Sequence, residues 1–99
     1  MDEKGIQPAL KLEVGQTQIA IDATRDPVKV KTKNGDSTVF HLTQPLGVDL
    51  WASEYLYQVV VSFLDDCAER GIDVSNPIPC KITRTGTGKN DTRYSIDLV

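Results

Sequence analysis

Along most of the chain apolar and polar residues alternate, and in one stretch the period lengthens to about 3.6. Leu10, Leu12 and Val14 alternate with Lys11 and Glu13; beyond Gly15, Thr17, Ile19 and Ile21 resume the alternation against Gln18, Ala20 and Asp22. This predicts a long first strand from Ala9, bent or bulged at Gly15. Val28, Val30 and Thr32 then alternate with Lys29, Lys31 and Lys33, Asn34-Gly35 supplies hairpin-turn chemistry, and Ser37 to Thr43 returns. Val48 to Ala52 makes a short strand. Ser53 is placed as an N-cap, with Glu54 complementing the positive end of the helix dipole. Leu56, Val59, Val60, Phe63, Leu64 and Cys67 fall on one helical stripe, and Gly71-Ile72 fits a Schellman stop. After a loop with two prolines, Cys80 and Ile82 face one way with Tyr94, Ile96 and Leu98. Lys81, Thr83, Arg93 and Ser95 then face the other way.

This order predicts a mainly β fold: a small five-stranded Greek-key barrel of the OB type, with one α-helix between strands three and four. A long, bent first strand is what lets such a barrel close. The alternative is an open α+β sheet covered by the single helix. At 99 residues the chain is expected to form one domain, with Met1 to Pro8 as a frayed terminus.

Composition leaves that picture unchanged. Hydrophobic content of 39% and charged content of 25% suit a globular chain. The start, M-D-E-K-G-I-Q-P, has no apolar core of a signal peptide, and no run approaches a membrane span, so a cytoplasmic protein without membrane contact is expected. Cys67 and Cys80 lack metal-site spacing and are expected as buried free thiols, with a disulfide as the lesser alternative.

Charge does change it. The net charge is -3, yet Arg25, Lys29, Lys31 and Lys33 stand against Asp26 alone, and Lys81, Arg84, Lys89 and Arg93 against Asp91 alone. Two basic segments are thus set in an acidic remainder, and a polyanion responds to the local field. Solvated edge lysines explain the first segment equally well. Gly86-Thr87-Gly88-Lys89 is not a phosphate loop: Thr83 and Asn90 stand where that motif needs Gly and Ser or Thr, and a strand follows instead of a helix. The lone His41 has no assigned catalytic partner, so no enzyme, cofactor or metal is expected. Phe63 belongs to the helix stripe. Phe40, Trp51 and Tyr94 remain as rings that could stack on bases beside cations.

The stretch K-I-T-R-T-G-T-G-K-N-D-T-R-Y-S-I resembles the closing hairpin of small phage and viral single-stranded-DNA-binding proteins of OB type. The order upstream is also similar: a basic hairpin, a strand running into W-x-S, and a helix ending before G-I. The resemblance spans Val28 to Leu98 and implies that Lys81, Arg84, Lys89, Arg93 and Tyr94 lie on or near a DNA path. The resulting expectation is non-catalytic binding of single-stranded DNA, or alternatively RNA, in viral or phage replication or recombination in a host cytoplasm. Its contacts would be Lys29, Lys31, Lys33, Phe40, Trp51, Lys81, Thr83, Arg84, Lys89, Arg93 and Tyr94, with self-association open. The competing expectation is a protein-interaction or assembly module, such as a viral accessory protein, that makes contact through its acidic helix face and strand edges.

Overall fold

The computed structural model describes residues 6–33, 35–88 and 91–99. Asn34, Lys89, Asn90 and the first five residues lie outside them, and with them part of the expected first turn, part of the final hairpin tip and most of the expected frayed terminus.

Among the described residues, seven strands and one helix form in the order β1 (Gly15–Ile21), β2 (Val28–Thr32), β3 (Gly35–Phe40), β4 (Leu42–Gln44), β5 (Leu50–Ala52), α1 (Glu54–Glu69), β6 (Ile78–Thr85) and β7 (Arg93–Leu98). They divide into a four-stranded sheet, β4-β1-β6-β7, and a three-stranded sheet, β2-β3-β5. The fold is mainly β, and the five-stranded closed barrel is not formed. The reason lies in the first strand. Pairing begins only at Gly15, and β1 pairs with β6 and β4 but not with β2. Leu10 to Val14, despite their alternation, run outside the ladder. With half of the expected strand absent, nothing among the described residues bridges the two sheets into a cylinder.

The second departure sits at His41. The expected single strand over residues 37–43 is broken there into β3 and β4, which belong to different sheets. His41 occupies the corner. Its carbonyl accepts the Asp22 N–H (2.9 Å), and its Nδ1 lies 3.4 Å from Asp49 Oδ2, both side chains being 3% exposed. Asp49 also accepts the N–H groups of Leu42 and Gln7 (3.1 Å each), and its main chain bonds Pro8 and Leu10. Trp51 Nε1 donates to the Gln7 carbonyl at 2.9 Å. Ile6 is buried. Residues 6–10 are therefore a docked arm rather than the frayed end expected of Ile6 to Pro8.

The helix forms as its stripe predicts. Leu56, Val60 and Cys67 are buried, and Leu56 and Val60 pack with Ile19, Ile21, Phe40, Leu50, Cys80 and Ile82. Ser53 takes the extended N-cap conformation without a side-chain capping bond. At the other end Gly71 N–H donates to Ala68 and Ile72 N–H to Cys67 (3.1 and 3.0 Å), the Schellman pair. Cys67 and Cys80 are buried free thiols. Burial pushes the Cys80 thiol up to about 12 and raises that of Cys67 as well. Among the described residues no helix is long and apolar enough to cross a membrane.

Candidate nucleic-acid interface

Strand parity decides where each candidate side chain stands. In the three-stranded sheet Lys29 is opposite Thr38, which is opposite Ala52, so these share the face on which Phe40 and Leu50 meet the helix. Lys31 lies on that face too, opposite Asp36. Both lysines are exposed, as is Lys33 in the turn beyond β2. Phe40 is 3% exposed and stacks on Tyr57 with ring centroids 5.9 Å apart. It is a core residue, which corrects its expected role as a stacking platform: its neighbours on the strand are buried with it. Trp51 projects from the opposite face, half-buried and tethered to the arm.

The final hairpin splits its candidates between two surfaces. Register pairs Lys81 with Asp97, Thr83 with Ser95, and Thr85 with Arg93, and these form the outer face of the four-stranded sheet beside Gln16 and Gln18. Arg84 and Tyr94 are opposite each other on the inner face with Ile82 and Ile96. Arg84 is half-buried and donates through Nη1 to the Leu12 carbonyl at 2.5 Å, so part of its role is to hold the segment before β1. Tyr94 leans on Tyr55 at 6.0 Å between centroids. Lys81, Thr83 and Arg93 thus do not join Arg84 and Tyr94, and Lys89 lies outside the described residues.

The described part of the tip is organised by hydrogen bonds. Asp91 Oδ1 accepts the Gly88 N–H at 2.7 Å, and the Thr92 hydroxyl donates to the Gly88 carbonyl. Gly86 has φ +81°, and a Cβ there would stand 2.2 Å from the Asp91 carbonyl oxygen. Gly86→Ala is therefore expected to force the tip open and to cost about 1–2 kcal/mol from the left-handed backbone alone. A urea midpoint equal to that of the parent would contradict this.

Three cavities adjoin around the start of α1. One of about 360 Å³ lies between the tip and the helix, lined by Ser53, Tyr55, Arg84, Gly88, Thr92 and Tyr94 among others. Ser53 and Tyr94 are shared with a second, of about 370 Å³, which adds Trp51, Leu10, Leu12, Thr32 and Asp36. Asp36 is shared in turn with a third, of about 420 Å³, which reaches Lys29, Thr38, Glu54 and Tyr57. The run of cavities joins the inner side of one basic hairpin to the other. It passes four aromatic rings, of which Tyr55 is the most open at 45% exposed. Asp36 and Glu54 make the Lys29 end mixed in charge, whereas Arg84 is the charged residue lining the tip end.

Sequence reasoning left Tyr55 without a role. The signal was present: a large ring in the first turn of the helix, one position off the apolar stripe, has no core to fill. The family models, the curated proteins and the solved structures compared with this chain give no match, so the assignment of this surface rests on its own geometry.

Proposed function

We propose that this protein binds single-stranded nucleic acid, DNA by the resemblance of its closing hairpin, along the row of cavities around the start of α1, and that it does so without catalysis. The observation that supports the reading is the connection itself. Two segments far apart in sequence, around Lys29 and around Arg84, are linked by cavities that share Asp36, Ser53 and Tyr94 and carry Trp51, Tyr55, Tyr57 and Tyr94. Rings beside cations are what a strand with unstacked bases needs, because any base offers a face for stacking and the phosphates need only positive charge. A duplex, whose bases are already stacked, gains nothing from the rings.

Titration of a labelled, unstructured oligothymidylate at low ionic strength tests the reading, with Trp51 emission as a second reporter. Binding should weaken with salt. Each phosphate neutralised contributes a slope of about -0.7 on a single strand, so Lys29, Lys31 and Arg84 together give roughly -2. A duplex of equal length should compete poorly. Absence of salt-sensitive binding at low ionic strength, or a preference for duplex, would reject the proposal.

A further inference from the structure

We propose that β7 is a self-association edge, at which a second copy of this chain adds its own β7 antiparallel to the first about a two-fold axis through Ser95. Among the described residues the four-stranded sheet ends at β7. Val99 N–H donates to the Pro79 carbonyl at 3.3 Å, and the register runs on from there through Cys80↔Leu98. Alternation of the antiparallel ladder then turns the main chain of Arg93, Ser95 and Asp97 toward β6, and the N–H and C=O groups of Tyr94, Ile96 and Leu98 outward along the edge.

The order of side chains on this strand is self-complementary. Pairing two copies about Ser95 sets Tyr94 opposite Ile96 of the second copy, with hydrogen bonds exchanged in both directions. It sets Arg93 opposite Asp97 of the second copy, and Asp97 opposite Arg93. Opposite charges directly across a ladder attract, whereas like charges there repel. The other long edge shows the contrast. The same pairing of β2 about Val30 would place Lys29 against Lys31, an arrangement that blocks edge-to-edge association. The remaining edge strands, β4 and β5, have three residues each.

A site for the added strand is present beside the edge. A cavity of about 510 Å³ lies between α1 and β7, lined by Val59, Phe63, Tyr94 and Ile96 together with Gln58, Ser62, Asp66 and Ser95. In the proposed register Ile96 of the second copy projects on this helix side, where Val59 and Phe63 are half-buried. At the end of the edge Leu98 and Val99 are 37% and 68% exposed, apolar area that pairing would cover. The charge pattern selects a copy of this chain over an unrelated extended peptide, because the strand supplies its own complement.

Sedimentation of the protein without nucleic acid is expected to show a dimer. Arg93→Asp and Asp97→Arg should each weaken it at least tenfold, by putting like charges at both ends of the paired strands, and the double reversal should restore it. Ser95→Cys gives an independent reading. Opposite residues of a non-hydrogen-bonded pair have Cα atoms about 4.5 Å apart, within disulfide reach, so this variant should oxidise to a covalent dimer. Gln16→Cys, on β1 of the same outer face, should not. A protein that stays monomeric to millimolar concentration would overturn the proposal. So would a dimer indifferent to both single reversals, or an edge that takes up a foreign peptide and not a second copy.

Discussion

Asp49→Ala is expected to lower the unfolding free energy by about 2–6 kcal/mol, because two backbone N–H groups lose their acceptor. The carboxylate is 3% exposed and accepts the N–H groups of Gln7 and Leu42, and it lies 3.4 Å from His41 Nδ1, which makes no hydrogen bond of its own among the described residues. Alanine leaves two part-buried backbone donors unmatched, and each stranded donor costs about 1–3 kcal/mol. Domains of this size are stable by about 5–15 kcal/mol, so the variant is expected to lose a substantial part of the total. Asn, which keeps one acceptor oxygen, should fall in between. Urea denaturation followed by circular dichroism measures the loss, and limited proteolysis before β1 should show the arm released. A shift below about 1 kcal/mol would mean that the corner is held by the main chain alone.

On the binding side the largest effect is expected from Tyr94. Its ring lines two of the three cavities and leans on Tyr55. Base stacking on one ring contributes about 1–3 kcal/mol, so Tyr94→Leu should weaken oligonucleotide binding by roughly tenfold to a hundredfold. Leucine keeps apolar contact with the helix, and the urea midpoint should move little beside that change in affinity. Phe40→Leu separates the two roles in the opposite direction, since Phe40 is 3% exposed: stability falls and affinity does not. If Tyr94→Leu lowers stability and leaves affinity unchanged, Tyr94 is a core residue and the cavities around it are not the binding path.

Much of the fold was legible in the chain because local rules coincide with it. The helix from Glu54 to Glu69 follows its apolar stripe and stops at Gly71. The hairpin of β2 and β3 follows alternation on both sides of a turn, although its closing pair is Thr32↔Gly35, so Gly35 opens the return strand and does not sit at the centre of the turn. The final hairpin pairs Ile82 with Ile96 as their shared period requires. The site was legible in part. That the basic residues cluster in two segments is a property of the sequence, and Lys29 and Arg84 do reach one row of cavities.

Alternation by itself determined which residues of each strand share a face, because successive side chains of any strand point to opposite sides. Only the tertiary structure decided which strands pair, and that is what overturned the barrel. Leu10, Leu12 and Val14 carry a strand period but meet no ladder, since the chain before Gly15 is held by Asp49, Trp51 and Arg84 instead. The break at His41 has the same origin: a buried carboxylate eight residues away draws the chain from one sheet into the other. The division of the last hairpin into an outer row with Lys81 and Arg93 and an inner pair, Arg84 and Tyr94, follows from parity. Which of the two faces a cavity depends on where α1 packs, and no local pattern carries that information.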